Sequence, residues 1–169
     1  ADAVALSFVH DPADVVALEE RLRALGRGEL GIVLKIETRR AFERLPELLL
    51  ASMQSPRDGV MIARGDLAVE CGFERLAEIQ EEILWICEAA HIPVIWATQV
   101  LETLAKTGRP SRAEITDAAM GERAECVMLN KGAHIERAVA VLDDILRRME
   151  GHQRKKSARL RALRLARLP

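Results

Sequence analysis

Short apolar runs recur along this chain at nearly even intervals, each followed by polar residues and then by a pattern of helical period. The first run, Ala3-Val4-Ala5-Leu6-Ser7-Phe8-Val9, predicts a strand over residues 3–9. Asp11 then supplies a helix cap, Pro12 the first helical position and Asp14 an acid for the first turn. Val15, Leu18, Leu22 and Leu25 share one face of that helix, and Gly26 closes it. Residues 31–37 predict a second strand, followed by a helix that Pro46 interrupts and that resumes through Leu50. The turn Ser55-Pro56-Arg57-Asp58-Gly59 leads to a third strand, Val60 to Ala63. Residues 74–90 return to helical spacing, with Leu76, Ile79, Ile83 and Ile86 inward. Val94 to Ala97 predicts a fourth strand, and a long loop reaches Pro110. Ser111 caps a helix through about Met120, Cys126 to Leu129 forms a fifth strand, and residues 135–149 form a closing helix.

Five strands alternating with helices predict an α/β fold. The strands read as continuous apolar runs, as expected for a parallel sheet covered on both faces and joined by right-handed crossovers. Both terminal strands would be open edges, so self-association into a homo-oligomer is expected.

The period carries chemistry with it. Lys35 with Glu37, then Asp66, then Thr98 stand where apolar runs end, at steps of 31 and 32 residues, and a further 32 leads to Asn130. One strand, one helix and their loops take roughly 30 residues in a parallel α/β unit. In a barrel of such units the carboxyl ends of the strands form one rim, which holds the chemistry. Glu37 and Asp66 are hard oxygen ligands suited to Mg2+ or Mn2+. Lys35 shares a strand face with Glu37, where an ammonium can stabilise a developing anion. The spacing reads equally as a surface ion pair between them. Gly65 lets backbone amides approach an anion, although Arg64-Gly65-Asp66 also reads as a plain turn between strand and helix. The Thr98 hydroxyl can bind a carboxylate, help deliver a proton, or cap the next element.

Composition narrows the class. With 49% hydrophobic and 30% charged residues over 169 positions, the chain can bury a core as a soluble globular domain. No apolar run approaches the length of about eighteen residues that a membrane span needs, and residues 1–10 lack a basic leader. A chain that opens on Ala1, already in a strand, reads as an excised piece of something longer. Cys71, Cys87 and Cys126 fit neither a disulfide framework nor a zinc pattern and read as buried, reduced thiols of a cytoplasmic protein. Residues 151–169 carry seven Lys or Arg and no acid, which leaves residues 1–150 with 18 basic against 26 acidic groups. This tail, helical in pattern from Lys155 to Arg167, would attract polyanions. It lacks the aromatic residues that stack on bases, so a solvated helix or a linker is the plainer reading and nucleic acid is not the expected partner.

Longer strings are more specific. Lys35-Ile36-Glu37 resembles the active-site signature of the pyruvate kinase family. Asp58-Gly59-Val60-Met61-Ile62-Ala63-Arg64-Gly65-Asp66-Leu67-Ala68-Val69-Glu70 resembles that family's most recognisable segment. Pro93 to Glu102 and Pro110 to Glu114 follow in the family's order, and Ser7-Phe8-Val9 matches its preceding strand. The resemblance runs to about residue 149. It implies part of a TIM (β/α)8 barrel, strands four to eight, over residues 1–150, followed by the basic tail 151–169. It implies a glycolytic transferase that moves a phosphoryl group from phosphoenolpyruvate to ADP, giving pyruvate and ATP. Lys35 would stabilise charge on the phosphoryl group and the enolate oxygen. Glu37 and Asp66 would hold Mg2+ or Mn2+. The amides of Gly65 and Asp66, with the Thr98 hydroxyl, would hold the substrate carboxylate, and Thr98 would also serve the route that protonates the enolate.

Three departures temper the resemblance. Asn130-Lys131-Gly132-Ala133-His134 stands where the family has serine-glycine-glutamate-threonine-alanine, which affects proton delivery or subunit packing. The family's first three strands are missing, with the arginine and asparagine of its phosphate and potassium sites and much of its ADP contact. The lid domain is missing with them, so K+ is expected only where those strands are present. Nothing resembles the family's C-terminal regulatory domain. The expectation is a chain that binds Mg2+ weakly but does not turn over alone. Two other readings stand beside it: a metal-dependent lyase or aldolase acting on pyruvate enolate, and a non-catalytic half-barrel for assembly or regulation. His134 reads as a helix cap or surface group, and His10, His91 and His152 show no ligand spacing.

Overall fold

A computed structural model describes residues 1–153. Five parallel strands alternate with helices along them, as the apolar pattern predicts. These residues divide within the fourth strand into two compact units, one ending at Val94 and one starting at Ile95.

The first unit holds β1 (Ala3–Leu6), α1 (Pro12–Ala24), β2 (Gly31–Ile36), α2 (Arg39–Glu43), α3 (Leu45–Ser52), β3 (Asp58–Ala63), α4 (Arg64–Cys71) and α5 (Leu76–Ala90). β2 lies between β1 and β3, with Leu34 opposite Leu6 on one side and Val60 on the other. Ile32, Leu34, Ile36, Val60 and Ile62 are at most 1% exposed. Burying such a side chain contributes about 1.5–3 kcal/mol, so this face holds the unit together. α1 packs on α3, α3 on α5, and α5 on β3.

The opposite face does not match the expectation of two covered faces. Ala3 and Ala5 are exposed, and Val33, Lys35 and Met61 are half-buried, although these last three alternate with fully buried neighbours. The apolar runs are continuous because this second face is also apolar, not because the described residues cover it.

Local corrections follow from backbone chemistry. β1 stops at Leu6, not residue 9, because Phe8 turns into the left-handed region at φ 52°. α1 has the predicted cap, with Asp11 and Asp14 each accepting from the other's end of a capping box. Leu25 is not inward but 59% exposed, since the helix ends at Ala24 and Gly26, at φ 69°, turns the chain. Glu19 takes a buried place in the stripe, with Arg23 Nη2 donating to it at 2.7 Å. Thr38 caps α2 through Ala41 N, and Pro46 sits in the first turn of α3, so the break falls as predicted. α5 is preceded by a 3-10 turn, Phe73–Arg75, and Leu76 is only half-buried.

The second unit holds most of β4 (Val94–Val100), then α6 (Glu102–Thr107), α7 (Arg112–Met120), β5 (Cys126–Leu129) and α8 (Ile135–Gln153). β4 runs three residues past the predicted end, and α6 replaces the first part of the predicted loop, stopping at Gly108 with φ 76°. Ser111 and Glu114 form the capping box of α7. α6 and α7 both pack on α8. Cys71 and Cys87 are buried as expected, but Cys126, at the start of β5, is exposed. Among the described residues, no helix is long and apolar enough to cross a membrane. The basic stretch from Lys155 to Arg167 lies outside the described residues.

Candidate active site

At the end of β2 the sequence alternates, so Val33, Lys35 and Glu37 share the half-open face. Lys35 Nζ lies 2.5 Å from Glu37 Oε1 and donates to Ser7 Oγ at 2.9 Å. The second oxygen, Glu37 Oε2, accepts from Phe8 N at 2.6 Å. The left-handed turn at Phe8 thus coincides with its amide facing a carboxylate rather than a strand partner. Glu37 is 2% exposed, so this is not the surface ion pair that spacing alone allowed. A carboxylate at that depth is tolerated because each oxygen has a donor. Ser7-Phe8 and Lys35-Ile36-Glu37 are therefore one constellation spanning two strand ends.

β3 ends differently. Continuing the register that sets Lys35 beside Met61 and Ile36 beside Ile62 brings Glu37 level with Ala63, three residues before Asp66. Arg64-Gly65-Asp66 is neither a strand end nor a plain turn but the first turn of α4, and Asp66 is exposed. The N-cap is Ala63, which has no side chain to accept from the helix and makes no side-chain cap. A helix start leaves its first amides without intrahelical partners and carries partial positive charge. Gly65 and Asp66 thus bring amides suited to an anion, while the Asp66 carboxylate faces solvent. The sequence signal for this was the lack of any Ser, Thr, Asp or Asn just before Arg64.

Thr98 belongs to the second unit and sits inside β4, half-buried, rather than at its end. Pairing with β5 is regular at Ile95–Cys126 and Trp96–Val127, then shifts before Val100–Leu129. Within this irregular stretch the Ala97–Thr98 peptide is cis and Gln99 is left-handed at φ 58°; Leu101, just past the strand, is also left-handed at φ 47°. Left-handed non-glycine residues such as Gln99 and Leu101 cost about 1–3 kcal/mol each and gather at functional sites. No residue type in Ala97-Thr98-Gln99 announces this backbone.

The motif Pro110 to Glu114 has a structural role that spacing did not reveal. Glu114 accepts from Ser111 N through Oε2 at 3.0 Å and from Thr103 N through Oε1 at 2.5 Å, which ties α6 to α7. Burial pushes its pKa up, but these hydrogen bonds outweigh burial and hold it below the ordinary carboxylate value. Glu102 is also held low, first by Lys106 and then by Asn130. Asn130, the last residue of the sequence period, thus meets a carboxylate of α6. Gly132 is required by packing, since a Cβ there would stand 2.2 Å from Ala105 O. His134, exposed, precedes α8 with its N–H on Ala105 O and its carbonyl accepting from Ala138 N, as a cap does.

Among the described residues, no three His, Cys, Asp or Glu cluster as a metal cage. Mg2+ typically takes only one or two carboxylates, with water and phosphate oxygens completing its shell. Glu37 and Asp66 suit that donor set: a carboxylate has about four lone-pair sites, and the contacts at Glu37 involve one on each oxygen.

Comparison with known proteins identifies the family. The family model "Pyruvate kinase, barrel domain" matches residues 1–139. The chain is 39% identical over 152 residues to a pyruvate kinase of Thermotoga maritima, covering 86% of this chain and 31% of that protein. It is 38% identical over 155 residues to one of Dictyostelium discoideum, covering 88% and 29%. With a pyruvate kinase of Bacillus licheniformis, identity is 34% over 167 residues, covering 94% and 28%. The chain therefore spans under a third of the length of these relatives. A chain with this strand-end constellation, matched over most of its length by that barrel domain, belongs to the pyruvate kinase family.

Proposed function

We propose that this chain contributes the metal and enolate side of a site that transfers a phosphoryl group between phosphoenolpyruvate and ADP. The observation that carries the reading is the Lys35–Glu37 pair, a cation held by a buried carboxylate at the end of β2. That geometry leaves Lys35 24% exposed, with its ammonium fixed by Glu37 and Ser7. A fixed ammonium stabilises charge on phosphoryl and enolate oxygens without reorganising during reaction, which is how phosphoryl transfer is generally promoted. The α4 amides of Gly65 and Asp66 would bind the substrate carboxylate, and the Thr98 hydroxyl would serve enolate protonation. Glu37 and Asp66 would hold Mg2+ or Mn2+, which when bound neutralises phosphate charge. The half-open face of β1 to β3 is where further barrel strands, or another copy of the chain, would pack.

Manganese binding, followed by proton relaxation or calorimetry, tests this reading. Saturable binding, strengthened by pyruvate or oxalate and lost in both Glu37→Ala and Asp66→Ala, is expected. Binding indifferent to both substitutions would overturn the metal assignment. A coupled assay with lactate dehydrogenase and NADH is expected to give no turnover from this chain alone, and clear turnover would overturn that part of the reading.

A further inference from the structure

A cleft between α2, α4 and α5, with the turn before α5, lies outside the strand-end chemistry. It encloses about 180 Å3. Its floor is apolar, with Phe42, Cys71 and Ile79 all at most 7% exposed. Its rim carries Arg39 and Glu43 from α2, Arg75 from the turn before α5, and Glu82 from α5.

The cations are arranged around the floor. Arg39 and Arg75 both act electrostatically on the Cys71 thiol. Arg75 also donates through Nε to Glu78 at 2.8 Å. Burial pushes the Cys71 thiol up against both guanidiniums, so the floor keeps a neutral sulfur. Arg39 and Glu43 are four residues apart on α2, a spacing that commonly forms an ion pair. Both residues line the cleft.

We propose that this cleft binds a small amphipathic zwitterion, an ammonium and a carboxylate carried on a short apolar frame, as in a branched α-amino acid. The ligand carboxylate meets Arg39 and Arg75, its ammonium meets Glu43 and Glu82, and its apolar part lies on Phe42 and Ile79. The charge count selects this class. A simple anion is opposed by two carboxylates, and a simple cation by two guanidiniums; a ligand of both signs gains from all four. Size agrees, because a cavity of about 150 Å3 holds benzene.

Titrating the chain with L-leucine, by calorimetry and by 1H–15N amide shifts, tests the site without relying on the reading of the strand ends. Saturable binding with shifts centred on Phe42, Cys71 and Ile79 is expected. 3-Methylbutylamine, which lacks the carboxylate, and 4-methylpentanoate, which lacks the ammonium, are each expected to bind at least about tenfold more weakly, given the strength of charged hydrogen bonds. Arg39→Gln and Glu82→Gln should each weaken leucine by about tenfold, with unchanged circular dichroism. Equal affinity for leucine and 4-methylpentanoate would overturn the zwitterion in favour of a simple anion. No saturation, or shifts elsewhere that both variants leave intact, would overturn the site.

Discussion

The ends of β2 and β3 each deliver a carboxylate, and the fold treats the two oppositely. Glu37 is 2% exposed and accepts from both the Lys35 ammonium and the Phe8 amide. Asp66, in the first turn of α4, is exposed. The sequence gives both the same signature, an acid after an apolar run, but burial gives them different work. The β2 end fixes a charge in place with its own partners. The β3 end offers oxygen and amide groups to whatever arrives.

The largest expected effect breaks or confirms that contrast directly. Glu37→Ala removes the carboxylate that pairs with Lys35 and the acceptor of the Phe8 amide, and removing one partner of a buried pair costs about 3–5 kcal/mol. The low end applies because Lys35 keeps 24% of its side chain exposed. Asp66→Ala should change stability by no more than about 0.5 kcal/mol, as exposed substitutions usually do. Urea denaturation of both variants reads the difference; equal losses would break the comparison.

Gly132→Ala comes next and asks whether the second unit also has closed positions beside its strand ends. With Ala105 O only 2.2 Å from the added Cβ, backbone must move. Overpacking of this kind costs about 1–3 kcal/mol. A thermal shift near zero would show that the 130–134 segment is loosely seated.

Ser7→Ala sharpens the picture at β2 itself. It removes one acceptor from Lys35, while Glu37 remains 2.5 Å away. A loss of about 1 kcal/mol is expected, smaller than for Glu37→Ala. A loss as large as that of Glu37→Ala would mean that the hydroxyl, not the carboxylate, anchors the ammonium.

The smallest effect concerns acid. Asp11 is held below its ordinary value of 3.8, first by the Ala13 amide and also by Arg44 and Arg40. A depressed folded-state pKa means that this contribution is present above the unfolded value and lost as pH falls through the folded one. Asp11→Asn keeps a capping side chain but cannot titrate, so its stability should fall less steeply than wild type below about pH 4. Parallel acid-unfolding curves would show that Asp11 carries none of the acid limb.

Much of this was legible in the letters because it is local. Strand and helix order, the caps at Asp11 and Ser111, and the break before Pro46 depend on neighbours within a few residues. The strings around Lys35 and Asp66 gave the family for the same reason. What could not be read depends on contacts distant in sequence. Ser7 and Phe8 look like strand residues until Lys35 and Glu37 lie 28 and 29 positions away and beside them. Gly132 looks like a turn glycine until Ala105 stands against it.

The amino-acid order was thus sufficient for the α/β alternation, the family and the residue types of the candidate site. Periodicity and capping are short-range and act on each segment separately. Only packing in three dimensions made Glu37 a buried acid with a donor on each oxygen and Asp66 an exposed one at a helix start. Solvent exposure and hydrogen-bond partners are set by neighbouring elements, and no local pattern around either acid encodes them.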